Sequence, residues 1–337
     1  MRFTALTSVL ALTLGAGAAL ADGVVNIYSS RHYDNDESLY EGFTEATGIE
    51  VNRIEADADE LIARLNAEGA NSPADVFLTV DAGRIWRADE AGLLQAVDSE
   101  VLNTRIPAHL RHPDGHWFGM SQRARIIYYD KNDVENPPRT YEDLADPAYE
   151  GMVCIRSSSN VYNQSLMASL IDANGEEAAR EWAKGVVKNM ARDPQGGDTD
   201  QLRGIVSGEC DIAVANTYYF LRGLAGGVDG LSDGVENIGW VFPNQSDRGA
   251  HVNVAAAGVT VNAPNRDNAV AFLEYLATDE AQAYFANQNN EYAAVPGIAL
   301  AENPAKLGLF RADDLTLSVL GENHPTAQKL FNEAGWE

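Results

Sequence analysis

Short apolar runs of strand length alternate with amphipathic runs of helical period along most of this chain, which restricts it to sheets covered by helices. Residues 24–29 read as a strand. Residues 37–46 carry Leu39, Phe43 and Ala46 at helical spacing and stop at Gly48. Residues 49–54 form a second strand, and a helix then opens on Asp57, Asp59 and Glu60, acids that suit the positive end of a helix dipole. A calcium loop is not expected in this acidic stretch, because the turn glycine is missing. Residues 74–80 are a third strand, and this β-α-β rhythm implies parallel strands with helical crossovers. Strands are expected again at 124–129, 152–155, 211–215, 238–242 and 255–261, and helices at 176–190, 199–207, 268–277 and 279–286. No internal repeat or low-complexity linker is visible.

A chain of 337 residues exceeds one simple core at about 150 residues per domain. Two α/β lobes are therefore expected, each with a parallel or mixed sheet flanked by helices. The first takes residues 22–120 plus 253–337 and the second 121–252, with a ligand cleft between them. The chain would cross near 120–125 and 252–259.

Residues 1–21 read as a leader. Arg2 supplies a basic start, residues 6–20 are small and apolar, and Ala19-Leu20-Ala21 suits cleavage before Asp22. The apolar run is too short for a stable membrane span, and no cysteine follows the cleavage point for lipid attachment. A soluble exported protein follows. Its 50 acidic residues against 24 basic ones give a net charge of −26, which excludes nucleic acid as a partner and disfavours anionic membrane surfaces. In an oxidising compartment Cys154 and Cys210 are a disulfide candidate if their apolar runs are neighbouring strands; two buried free thiols are the alternative.

Three segments follow directly on strand-like runs: Arg31-His32-Tyr33, the stretch SSSNVYNQS at 157–165, and Asn216-Thr217-Tyr218-Tyr219. Side chains alternate across a strand, so Tyr218 and Tyr219 meet one ligand only if the strand ends at Asn216. All three segments then lie past strand C-termini, the edge where open α/β sheets bind ligands. Together they offer four phenols, Tyr33, Tyr162, Tyr218 and Tyr219, and the imidazole of His32. Ionised phenol is a hard anionic oxygen donor, and several at once suit Fe3+; without cysteine ligands, copper(I) and zinc–thiolate sites are disfavoured. Packing is the ordinary use of a tyrosine pair, and Tyr128-Tyr129 in RIIYYDK is expected to serve that use.

Other patterns compete less well. His109, His112 and His116 in HLRHPDGH have a zinc-like spacing, but Pro113-Asp114-Gly115 reads as a tight turn. Gly230-Leu231-Ser232-Asp233-Gly234 matches a nucleophile elbow, yet no apolar strand precedes it, so an exported hydrolase using Ser232 is the weaker reading. A tyrosinate-iron oxidase would need an open metal position, which a site of four phenols and an imidazole does not leave. Asp81 is either at the cleft rim or a loop cap. A polyamine or an oxyanion is the alternative cargo for the same fold; polyamine sites want carboxylates, which the tyrosine set does not supply.

In VNIYSSRHYDND, DVFLTVDAGRIWRA, HWFGMSQRARIIYY, RSSSNVYNQSL and GECDIAVANTYYF the chain resembles the periplasmic ferric-iron-binding proteins of ABC importers, the FutA-type branch of the transferrin-like FbpA group. The resemblance runs over essentially the whole chain after the leader. It implies a type II, cluster-D-like bilobal solute-binding fold, a non-enzymatic monomer in the periplasm, and delivery of Fe3+ to an inner-membrane ABC permease. It implies Tyr33, Tyr162, Tyr218 and Tyr219 as ligands, and His32 at a position that ligates in some relatives. Arg123 matches an arginine that reaches the metal region without ligating. The glutamate of the transferrin-like members has no clear counterpart, so a bound phosphate or carbonate is not obligatory.

Overall fold

The computed structural model describes residues 23–31, 33 and 36–337. The expected leader, Asp22 and His32 lie outside the described residues. The strands are β1 (Gly23–Ser29), β2 (Ile49–Glu55), β3 (Val76–Val80), β4 (Phe118–Asp130), β5 (Val153–Cys154), β6 (Ile212–Asn216), β7 (Ile238–Val241), β8 (Val252–Val259) and β9 (Tyr292–Ala293). The helices are α1 (Glu37–Thr47), α2 (Ala58–Glu68), α3 (Ala82–Glu90), α4 (Glu100–Arg105), α5 (Val161–Asn174), α6 (Glu176–Asn189), α7 (Asp198–Ser207), α8 (Thr217–Ala225), α9 (Arg266–Leu276), α10 (Asp279–Gln288), α11 (Glu302–Leu307) and α12 (Ser318–Ala334).

The strands run in the order β2-β1-β3-β8-β4-β6-β5, with β7 and β9 also on β4. The β-α-β rhythm gives parallel pairs at β1–β2, β1–β3 and β5–β6. The centre is antiparallel, because β4 and β8 return through the middle. β4 is the strand both lobes share. Its first half, up to Ala124, pairs with β8; from Arg125 onward it pairs with β6 and β7. The change of partner falls at Ala124–Arg125.

Each lobe buries its own apolar set. The first packs Phe43, Phe77, Trp117, Phe272 and Phe285 around β1, β3 and β8. In the second, β4 alternates: Ile127 faces Tyr141, Trp182 and Phe331, while Ile126 and Tyr128 face Phe220 and Leu202. Tyr128 packs on Phe220 with ring centroids 5.0 Å apart, as expected of a packing tyrosine. The last helix departs from the expectation that 253–337 belongs to the first lobe. Ala327, Leu330 and Phe331 of α12, with Trp336 after it, complete the second core, since their apolar face meets α5 and α6. Two further helices, α5 and α8, were not anticipated from the sequence, and both begin at the tyrosine segments.

Cys154 and Cys210 form a disulfide, with Cα atoms 5.9 Å apart where β5 runs beside β6. The free-thiol alternative is overturned. Closing a loop of sequence separation 56 stabilises the fold by about 4 kcal/mol on chain-entropy grounds.

A hydroxyl pins the crossing. Tyr141 Oη donates to the Arg125 carbonyl at 2.6 Å and accepts the His251 backbone N–H at 2.9 Å. His251 is buried there, and burial, then the Arg125 and Arg248 charges, depress its imidazole pKa to about 3. The unfolded chain, with a histidine near its ordinary value, binds more protons below about pH 6.5. Stability from this group is thus present above that pH and is lost as pH falls toward the folded value, at about 1.4 kcal/mol per pH unit. Replacing His251→Gln is expected to flatten the acid limb of denaturant-derived stability between about pH 6 and 4. Equal slopes in the two proteins would refute the assignment.

Candidate metal site between the lobes

Local sequence fixes where each tyrosine sits. β6 ends at Asn216, and Thr217 starts α8, so Tyr218 and Tyr219 share the first helical turn. The side chain of Asn160 caps α5, accepting the Tyr162 backbone N–H at 3.1 Å. Helix N-termini carry partial positive charge, and two of them bring phenols here. The Tyr162 and Tyr218 hydroxyls lie 3.4 Å apart, and the Tyr218 and Tyr219 ring centroids 4.2 Å apart. Tyr33 comes from the first lobe, just past β1. Arg222 of α8 stands 5.6 Å from its ring centroid, so Tyr33 faces the second-lobe helix across the cleft. The four expected phenols are thus brought to one region; His32 lies outside the described residues.

Three of these phenols, Tyr33, Tyr218 and Tyr219, are hard to ionise. Burial, then Glu291, push Tyr33 up to about 12, against the pull of Arg31 and Arg123. Burial, then Tyr162 and other neighbours, hold Tyr218 and Tyr219 well above the ordinary phenol value. Arg123 is buried 6.0 Å from the Tyr218 ring centroid and pairs with Glu291. Burial opposes its charge, but Glu291 and the phenols outweigh that and raise its pKa. The carboxylate of Glu291 is itself buried, yet Arg123 and Arg31 hold it ionised below its usual range. It also accepts the Ser121 hydroxyl at 2.6 Å. Arg31 lies 3.4 Å from Glu291, pairs with Asp36 at 2.9 Å, and sits 4.9 Å from the Tyr33 ring centroid.

Sequence reasoning reached Arg123 but missed Arg31, Arg125, Asp198, Arg222 and Glu291. One signal was present. Arg123 and Arg125 are two residues apart in a run that otherwise reads as buried, so both needed acidic partners. Glu291 carried no such mark among so many acids.

The competing patterns resolve locally. Asp89, His112 and His116 do cluster, and His109 does not join them. Pro113-Asp114-Gly115 is the expected turn, with Gly115 N–H donating to the His112 carbonyl. His112 Nδ1 accepts the Asp114 N–H at 3.1 Å, which leaves the ring proton on Nε2, 3.3 Å from Asp89. The group is a hydrogen-bonded set rather than three open lone pairs. Ser232 Oγ donates to the Gly223 carbonyl at 2.9 Å and accepts Val228 N–H at 3.0 Å, holding a loop instead of a nucleophile elbow. Asp57 caps α2. Asp81 caps α3 and also accepts the Ser165 hydroxyl at 2.7 Å.

With this geometry in place, its relatives are informative. The pattern of the family described as bacterial extracellular solute-binding protein matches residues 71–308. The chain is 52% identical to Iron uptake protein A1 of Synechocystis sp., over 93% of this chain and 87% of that one. It is 50% identical to Iron uptake protein A2 of the same organism, over 99% and 96%. Its fold is similar to that of Trichodesmium IdiA (FutA) in complex with iron and citrate ligands, with a TM-score of 0.90 and 50% identity, over 93% of this chain and 100% of that one. The chain belongs to the bacterial extracellular solute-binding protein family.

Proposed function

We propose that this protein is a periplasmic carrier that captures Fe3+ between its lobes and passes it to an inner-membrane ABC permease. One observation carries the reading: three second-lobe tyrosines gather at two helix N-termini while Tyr33 of the first lobe faces them. The relatives named for iron uptake and the iron–citrate complex support it. The proposed ligands are Tyr33, Tyr162, Tyr218 and Tyr219, with His32 as a fifth donor and Arg123 as a neighbouring cation. The protein acts as a monomer and a carrier rather than a catalyst, after cleavage of its leader before Asp22.

The chemistry follows from charge. A neutral phenol is a poor ligand, and a trivalent cation inverts this by lowering the pKa of what it binds. Four phenolates around Fe3+ leave a net charge of −1, which the nearby guanidiniums of Arg123 and Arg222 face. The lobes turn about the two crossing strands, and only their approach brings Tyr33 to the other three, so iron favours the closed state by differential affinity. Protonation, reduction to Fe2+ or reopening returns the cargo. The disulfide accords with an oxidising compartment. A polyamine is the weaker cargo, since the nearby carboxylate of Glu291 is already committed to two arginines.

Ferric tyrosinate absorbs visible light through charge transfer, so the iron-loaded protein is expected to be coloured. In Tyr219→Phe both colour and affinity should drop, affinity by at least about tenfold. A protein left colourless by ferric citrate sinks the proposal. Because burial raises the free Tyr33 phenol to about 12 and pushes Tyr218 and Tyr219 up as well, while phenolate ligands are ionised, binding releases protons. Affinity should therefore climb with pH, by about one log unit per pH unit for each phenol proton displaced. A flat profile from competition titrations at pH 5 to 8 contradicts phenolate ligation. Iron should also shrink the radius of gyration, and superimposable scattering curves with and without iron exclude closure.

A further inference from the structure

We infer that Arg125 is the positioning residue that holds three of the proposed ligands, Tyr162, Tyr218 and Tyr219, in one frame; the inference rests on the proposed ligand set. Arg125 is 2% exposed and stands where β4 passes from one lobe to the other. Its guanidinium reaches both tyrosine-bearing helices at once. Nη2 donates to Asn163 Oδ1 at 2.8 Å, one residue beyond Tyr162. Nη1 donates to Asn216 Oδ1 at 3.2 Å, at the cap of α8 and two residues before Tyr218. Nη1 also meets Asp198 Oδ2 at 3.0 Å.

Each of these partners fixes backbone in turn. Asn163 Nδ2 donates to the Arg156 carbonyl at 2.7 Å and to the Ser157 carbonyl at 3.2 Å, which ties down the loop ahead of α5. Asp198 accepts the Asn216 backbone N–H at 2.8 Å, which sets where β6 stops and α8 begins. The planar fork has a fixed angle between its nitrogens, so it sets the spacing of the two helix starts as well as their charge balance. Lysine keeps the charge but presents a single point on a flexible stem, and cannot hold both arms in that geometry. The main chain of Arg125 is pinned too, its N–H by the His251 carbonyl at 3.1 Å and its carbonyl by Tyr141. The guanidinium does not ligate; it acts through the helices, with its carbon 5.9 Å from the Tyr162 ring centroid.

The test compares ferric affinity, the charge-transfer spectrum and iron-free thermal stability in Arg125→Lys, Asn163→Ala and Tyr162→Phe. Arg125→Lys is expected to weaken iron binding by about tenfold or more, and to shift the charge-transfer maximum even at saturating iron. A purely structural role lowers the melting point but leaves the saturated spectrum where it was. In a Tyr162→Phe background the same substitution should cost less affinity than in the wild type. Wild-type affinity and band position in Arg125→Lys overturn the inference, as does full additivity with Tyr162→Phe. Should Arg125→Lys fail to fold, Asn163→Ala decides, because it removes one arm without stranding a charge; an unchanged spectrum and affinity there also overturn it. Failure of the ligand set is distinguishable, since wild-type protein would then show no tyrosinate band at all.

Discussion

A buried phenol resists losing its proton, and that resistance governs this molecule. Burial pushes up Tyr33, Tyr218 and Tyr219 together, and each makes ionisation of its neighbours harder. Crowded anionic oxygens are tolerated only when a concentrated positive charge arrives with the deprotonation. The surrounding arginines cannot supply it. Arg31 and Arg123 are matched against Glu291 and Asp36, so these four groups form a balanced ion set of their own. Breaking one partner out of such a buried set is costly, which is why Glu291 belongs to the architecture as much as the tyrosines do.

The fold meets this demand by dividing the phenols between two bodies and linking those bodies through shared strands. β4 hydrogen-bonds to first-lobe strands along one half and second-lobe strands along the other. The tyrosines lie within a turn of strand or helix ends, where backbone direction changes and neighbouring residues need not alternate across a sheet. The first turn of α8 lets Tyr218 and Tyr219 stay on one side, which a continued strand forbids. The helix N-termini add a modest electrostatic benefit, about 0.3–1 kcal/mol for an anion at each.

Most of the architecture was legible in the residues. Strand and helix alternation predicted the layers, because a sheet core demands a periodicity that sequence carries openly. α5 and α8 escaped because their first turns are polar and aromatic, without acids, and so lack the usual helix-start pattern beyond Asn160 and Asn216 at the cap positions. α12 packs against both bodies, Leu320 in the first core and Leu330 in the second, which its sequence did not announce. Amphipathicity says that a helix buries a face, not which core receives it. Tyrosine identity and position relative to strand ends exposed the candidate donors, whereas the ion network behind them depends on contacts such as Arg31–Glu291, which span residues distant in sequence.

That asymmetry bears on how such a site is built. The donors are set by local signals: a strand that stops, a helix that starts, a tyrosine in the first turn. Their electrostatic setting comes from long-range pairings that no local signal announces. Asp198 illustrates the coupling. It is fully buried, meets Arg125 and Arg156, and accepts the backbone N–H of the residue that caps the tyrosine helix. Removing its charge would leave two arginines under-compensated and release the helix start at once. Charge balance and helix placement are therefore one constraint here. The hydroxyl oxygens can be brought near each other without a metal because buried ion pairs hold the framework that positions them, and the cation then displaces their protons.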